Sequence, residues 1–239
     1  MVAPSNRMVR EFLSTVAQRG VSSATVHAHA RAVRAFLRFA YEEDWIEEPV
    51  TVRMPRVEQK RMEVLSREQV KRVLSVCETR DRALVMTLID SGVRRGEALA
   101  LDWEDLDLHT GALHVRRGKG GKARVTNVGA KTRRALLRWG GGQRSSAIFP
   151  LTASGGTTLM ARLSHKSEVH ITFHKCRRTF ATWALRGGMD LLSLQRLLGH
   201  SSLEMVRRYA LQSDRDLKVA HDQVGPIDLV LKHNVSKWT

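Results

Sequence analysis

Six polar side chains, Arg94, Lys119, His174, Arg177, His200 and Tyr209, are spread through the last two thirds of a chain of 239 residues. Two guanidinium groups can grip an anion, an amine and two imidazoles can move protons, and one phenol can serve as a nucleophile. Phosphoryl transfer needs this equipment when no metal-binding carboxylates are at hand to neutralise the charge building on phosphorus. Each piece alone has a bland explanation. A His-x-x-Arg pair arises often by chance, paired arginines after a turn are usually just exposed, and a single tyrosine is more often structural.

Their spacing says which elements must position them. Arg94 sits in Asp90-Ser91-Gly92-Val93-Arg94-Arg95-Gly96-Glu97, after a helix-ending glycine turn and at the start of the next helix. There a guanidinium and free backbone N–H groups can face one phosphate, and Glu97, three residues on, can orient the side chain. Arg95 is the alternative clamp, and the spacing from Gly92 favours Arg94. His174 and Arg177 are three apart and share one helix face. Leu197-Leu198-Gly199-His200 closes a helix, and Ser201-Ser202 opens another that carries Tyr209 nine residues beyond His200. The other tyrosine, Tyr41, continues the apolar pattern of Phe36, Leu37 and Ala40 and is assigned to core or interface packing. Lys119 belongs to Arg117-Gly118-Lys119-Gly120-Gly121-Lys122, a turn between strands predicted over 112–116 and 123–128, with Lys119 and Lys122 at its tip.

The remaining pattern is helical. Two helices are expected before residue 49, one over about 8–18 that stops at Gly20 and one that starts after Ser22-Ser23 and runs to about Tyr41. In the second, Val26, Ala30, Val33, Leu37 and Ala40 keep helical spacing while Arg31, Arg34 and Arg38 share another face. That arginine stripe suits a phosphate backbone as well as it suits plain solvent. A proline-containing stretch, Pro49 to Lys60, follows with no periodic pattern. Ser66-Arg67-Glu68-Gln69 then reads as a capping box, opening a helix to about Cys77. Further helices are expected over about 80–90, around Glu97–Leu101, and from Lys131 onward. The fold class is mainly α with a small β-hairpin.

Composition narrows the partner. The net charge is +16 and the pI about 10.9, which implies a polyanion. Residues 1–60 carry 9 Lys and Arg against 7 Asp and Glu, so nearly all the excess lies beyond them. The basic residues are dispersed rather than gathered opposite an apolar face, which argues against a membrane surface. No signal peptide or long apolar run is present, and a cytoplasmic, nucleoid-associated location is expected. Cys77 and Cys176 show no metal-ligand spacing and read as reduced structural thiols. No Asp, Glu and His cluster has the spacing that holds Mg²⁺, so neither metal nor cofactor is expected.

In order, Gly-Val-Arg-x-x-Glu, a Gly-Lys-Gly hairpin turn, His-x-x-Arg, Leu-Gly-His and a tyrosine nine residues later resemble the tyrosine recombinases, the phage integrase and Xer-type enzymes. The resemblance covers roughly residues 60–212. It implies that Arg94 and Arg177 are the two catalytic arginines, Lys119 the hairpin lysine, His174 and His200 the two histidines, and Tyr209 the nucleophile. It further implies site-specific DNA recombination through a 3′-phosphotyrosyl intermediate, without metal or ATP. Lys119 would protonate the leaving 5′ oxygen, His174 would assist proton transfer at Tyr209, and His200 would bond the same phosphate as the arginines. Arg178, next to Arg177, departs from the histidine or small polar residue many relatives carry there.

Four organisational expectations follow from that resemblance. Residues 1–55 form a truncated helical core-type DNA-binding region, 56–62 a linker, 63–212 the catalytic domain, and 213–239 a tail that either passes to a neighbouring protomer or packs back. The front has two helices where relatives usually have about four, and no arm-binding domain is expected. Arg31, Arg34, Arg38, Lys122 and Arg124 are candidate DNA contacts. The partners implied are double-stranded core-type attachment sites, a homotetramer on DNA formed from free monomers, and an accessory bending or directionality protein. The competing functions are a non-catalytic DNA-binding regulator, supported by charge and helix content alone, and a type IB topoisomerase.

Overall fold

A computed structural model describes residues 4–57, 63–116, 123–141, 146–199, 206 and 209. It divides into two compact units, Met1–Arg61 and Met62–Thr239. The first contains α1 (Asn6–Gln18) and α2 (Ser23–Glu42), each begun by a serine whose hydroxyl accepts a backbone N–H: Ser5 from Met8 and Ser22 from Thr25. Val9, Leu13, Ala30, Leu37 and Val52 form its small core. Arg31, Arg34 and Arg38 are exposed as the period required, and Arg38 Nε pairs with Glu42 at 2.7 Å. Packing does not hide the aromatic residues of α2. Tyr41 is 44% exposed and Phe36 59%, so both lie off the buried stripe to which the sequence pattern assigned them.

The second unit is built around one buried helix. Its described helices are α3 (Arg67–Ser75), α4 (Thr79–Ser91), α5 (Arg95–Leu99), α6 (Ala130–Gly140), α7 (Ala153–Ser167), α8 (Phe173–Arg186) and α9 (Leu191–Leu198). Between α5 and α6 lie strands β1 (Ala112–Val115) and β2 (Arg124–Asn127), paired antiparallel with Ala112 opposite Asn127 and Val115 opposite Arg124. The fold is mainly helical with one two-stranded sheet. Ser66 and Gln69 cap each other's backbone at the start of α3, the capping box the sequence announced. Among the described residues no helix is long and apolar enough to cross a membrane.

Helix α4 packs against both α6 and α8, and Ala83, Leu84, Val85, Leu88 and even Thr87 and Ser91 are buried. A helix covered on most sides has no polar face to show, and it fixes its neighbours by polar bonds at its C-terminal end. Asp90 accepts from the Gly129 N–H at 2.6 Å and the Thr132 hydroxyl at 2.7 Å, tying in the start of α6. The Thr126 hydroxyl donates to the Ser91 carbonyl at 3.0 Å, tying in β2. The Thr179 hydroxyl of α8 accepts the Leu65 N–H at 2.9 Å, anchoring the segment that enters this unit. Cys176 is fully buried on α8, while Cys77, half-buried, donates to the Val73 carbonyl at 3.1 Å. Burial raises both thiols, Cys77 to about 11 and Cys176 to about 12.

Gly92 ends α4 in the left-handed conformation, φ +64°, with its face against the Phe180 ring of α8. A Cβ there would overlap that ring, with Cε1 only 2.8 Å away. Gly188 also has positive φ, +94°, but nothing lies within 4 Å of its would-be Cβ. Gly92→Ala is therefore expected to cost about 2–4 kcal/mol, strain plus overpacking, and Gly188→Ala about 1–2 kcal/mol, strain alone. Urea unfolding of the two variants beside wild type measures this, and equal losses would mean that the Phe180 contact is not what matters.

Candidate active site

The turn that Gly92 makes delivers Arg94 to the start of α5, where Glu97 meets it. Glu97 Oε2 accepts the Arg94 backbone N–H at 2.7 Å, and Oε1 accepts Arg94 Nη1 at 2.8 Å. Glu97 thus holds both the backbone N–H and the side chain of the N-cap residue of α5. A second arginine reaches the same acid. Arg124 on β2 donates Nη1 to Oε1 at 2.9 Å and Nη2 to Oε2 at 2.6 Å, a bidentate fork. Its Nε donates to the Leu197 carbonyl of α9 at 2.8 Å.

The third guanidinium comes from α8. Thr172 caps that helix by accepting the Lys175 N–H, which sets His174 in the first turn and Arg177 in the second. Arg177 is only 5% exposed, and it donates to the Gly92 carbonyl at 2.5 Å and the Leu198 carbonyl at 2.7 Å. Arg94 Nη2 reaches the Gly199 carbonyl at 3.3 Å. The ends of α4 and α9 are therefore stitched to the arginines through the last carbonyls of each helix, which have no partner within the helix.

Electrostatics reports how tightly these charges are gathered. Arg177 falls from the usual arginine value to about 10, because burial and then the neighbouring Arg94 disfavour its charge, while Glu97 and Tyr209 oppose the fall. It remains cationic at neutral pH. Burial by itself would raise Glu97, but the hydrogen bonds from Arg124, the Arg94 N–H and the Arg94 side chain outweigh it and hold the acid at about 2.

Tyr209 lies at the edge of a small apolar cluster, Ala181, Leu194, Leu198 and Val206, and its N–H donates to the Val206 carbonyl at 2.9 Å. Leu198 of that cluster also presents its carbonyl to Arg177. His174 is exposed and, with Arg94, Arg95, His170, Met160 and Phe173, lines an open cleft of about 660 Å³ beside the clamp.

Of the six residues picked out by type and spacing, the structure gathers Arg94, Arg177 and Tyr209 into one locale and sets His174 on its rim. Lys119 and His200 lie outside the described residues, as does Lys122. Arg95 turns away from Glu97 and donates to Thr157 at 3.3 Å, so Arg94 is the arginine at the centre. Arg124, expected as a DNA contact, has an 8% exposed side chain, and Nε, Nη1 and Nη2 are all engaged by protein acceptors. Its guanidinium is turned inward. Nothing in the sequence around Arg124 or Glu97 signals this pairing. Among the described residues no group of three or more His, Cys, Asp or Glu could hold a metal ion.

Comparison with known proteins places this arrangement. Residues 63–215 match the model of the phage integrase family, well over half of the chain. The chain belongs to that family, the tyrosine recombinases. It is 31% identical over 234 residues to tyrosine recombinase XerA of Thermococcus kodakarensis, covering 92% of this chain and 82% of that protein. It is 30% identical over 236 residues to tyrosine recombinase XerC of Xanthomonas campestris, covering 91% and 73%. Among solved structures, an XerA recombinase aligns over 92% of this chain and 84% of its own, with TM-score 0.63 and 25% identity. The XerH recombinase bound to a palindromic difH substrate shares the fold, with TM-score 0.74, 23% identity and coverage of 91% and 71%. The protein is thus a DNA breaking–rejoining enzyme that performs site-specific recombination, and a non-catalytic regulator is set aside.

Because Glu97 is held far below the unfolded value of 4.5, its contribution to stability is complete above that value and is lost as pH falls toward 2. The steepest acid loss from this residue, of the order of 1–3 kcal/mol, is expected between about pH 5 and pH 2. Comparing urea midpoints across that range for wild type and Glu97→Gln tests it. The variant should lose less stability on acidification, and parallel curves would show that Glu97 is not ionised differently on folding.

Proposed function

We propose that Tyr209 is the nucleophile of this recombinase and that Arg94 and Arg177 form the clamp for the scissile phosphate. The observation that supports the reading is the gathering of Arg94 and Arg124 on Glu97 beside the buried Arg177, whose acceptor Leu198 belongs to the apolar cluster that Tyr209 packs against. The phosphodiester carries one negative charge, and a second develops as oxygen approaches phosphorus. Donors fixed in advance by Glu97, Gly92 and Leu198 meet that charge with little rearrangement.

In the proposed step the Tyr209 oxygen forms a bond to phosphorus while the bond from phosphorus to the 5′ oxygen breaks. The phenol proton leaves toward His174, and Lys119 supplies a proton to the departing 5′ oxygen, with His200 bonding a non-bridging oxygen. The phosphodiester energy is conserved in the 3′-phosphotyrosyl bond, so a 5′-hydroxyl can reverse the reaction without ATP. Removing a general acid of this kind costs ~100 to 10,000-fold in rate.

Residues 1–55 act as a core-type DNA-binding region, with Arg31, Arg34 and Arg38 toward the backbone, and residues 63–212 as the catalytic domain. Recombination requires two duplexes and four cleavages, which a tetramer of this chain on paired core sites supplies. Residues 213–239 link neighbouring protomers or pack in cis, and an accessory bending or directionality protein sets the direction. Exposed arginines on α2 in the first unit and an interior arginine cluster in the second fit this division of labour.

Incubating the protein with a nicked suicide duplex of its genomic attachment sequence in EDTA should give a covalent adduct on a denaturing gel, and Tyr209→Phe should give none. An adduct that survives in Tyr209→Phe would assign the nucleophile elsewhere. Binding to the same duplex should weaken with salt at a slope of roughly −0.9 per neutralised phosphate.

A further inference from the structure

Glu97 accepts four hydrogen bonds, two on each oxygen. Oε1 takes Arg94 Nη1 at 2.8 Å and Arg124 Nη1 at 2.9 Å, and Oε2 takes the Arg94 N–H at 2.7 Å and Arg124 Nη2 at 2.6 Å. A carboxylate has about four acceptor positions, so this one is full. An arginine beside a carboxylate gains most by laying both terminal nitrogens against both oxygens, and that face of Glu97 is taken by Arg124. Arg94 is left a single side-chain contact to the acid, and its other terminal nitrogen points to Gly199.

We infer that Arg124 is a positioning residue for DNA cleavage: by occupying the bidentate face of Glu97 it keeps Arg94 from folding back onto that carboxylate and leaves an edge of its guanidinium for the scissile phosphate. The inference rests on Arg94 being a phosphate clamp, as proposed above. Geometry gives Arg124 a second lever. Its Nε bond to Leu197 ties β2 to the end of α9, so one side chain spans β2, α5 and α9. Lys119 precedes β2 by five residues in the chain, and His200 follows α9 by two. A shift of β2 is therefore passed to Arg94 through one shared acid.

This account differs from a merely structural one in what rescues the loss. If Arg124 acts by sharing Glu97, neutralising that acid must relieve its absence, because an amide no longer draws Arg94 into a charged fork. If Arg124 only holds the fold together, Glu97→Gln adds a second defect. The same logic applies on the substrate: a methylphosphonate at the scissile position removes the non-bridging charge that Arg94 answers.

The test measures duplex affinity, single-turnover cleavage of the nicked suicide duplex and thermal melting for wild type, Arg124→Met, Arg124→Lys and Arg124→Met with Glu97→Gln. Arg124→Met should bind within about threefold of wild type, since affinity is spread over many phosphates, yet cleave about 100-fold more slowly, the effect of a misplaced group. Adding Glu97→Gln should recover at least about tenfold of that rate. On the methylphosphonate duplex the deficit of Arg124→Met should shrink. Arg124→Lys keeps the charge without the fork and should show a smaller cleavage defect with near-native melting, so the inference stays testable if the methionine variant unfolds.

Wild-type cleavage in either single variant would overturn the inference. So would a double variant no faster than Arg124→Met, or an undiminished deficit on the neutral duplex. Failure of the nucleophile reading is separate: it shows as no adduct from wild type, or an adduct from Tyr209→Phe, whatever Arg124 does.

Discussion

The site depends on one buried carboxylate. Three arginines share a partly dehydrated pocket, and the fall of Arg177 to about 10 registers first its burial and then the repulsion from Arg94. Glu97, 7% exposed, offsets it for two of them directly and for Arg177 through space. Without an acid at that point the guanidinium groups would separate toward solvent, where they would be screened and mobile. The acid is held by a backbone N–H as well as by side chains, so it cannot swing out to follow either partner.

Around that interaction the fold supplies carbonyls instead of further acids. Gly92 and Leu198 present the ends of α4 and α9 to Arg177, and Leu197 presents the same end of α9 to Arg124. Helix ends carry unsatisfied carbonyls and a partial negative charge, so cations there serve the backbone as the backbone serves them. Neutral acceptors orient a guanidinium without cancelling its charge. That division, one acid to gather and several carbonyls to aim, leaves net positive charge in the site.

Much of this was legible before any coordinates. Gly92 announced the turn that delivers Arg94, Ser66 and Gln69 announced the start of α3, and the glycine-rich hairpin was flanked by strands of period two. Ordered motifs located Arg94, Arg177 and Tyr209 because local rules fix where a helix begins and ends. What was hidden depends on contacts far apart in sequence. Glu97 and Arg124 are 27 residues apart, and nothing in either neighbourhood says that one strand arginine turns inward. Likewise Glu97 looked like a partner for Arg94 alone, although it serves Arg124 as well. Tyr41 and Phe36 stay out of the core for a simpler reason: in a two-helix unit there is not enough core to cover every aromatic on a helix that carries so many.

The two cysteines have a practical consequence. Cys176 is sealed in the core beside Arg177, and Cys77 is half-buried and bonded to a backbone carbonyl, with both thiols held far from ionisation. Thiolate is the form that maleimides attack, so at neutral pH neither native sulfur competes well for such a reagent. A fluorophore can therefore be directed to a cysteine introduced on an exposed surface of α2 without first stripping the chain of its own, which opens single-molecule observation of synapsis in an otherwise unaltered enzyme.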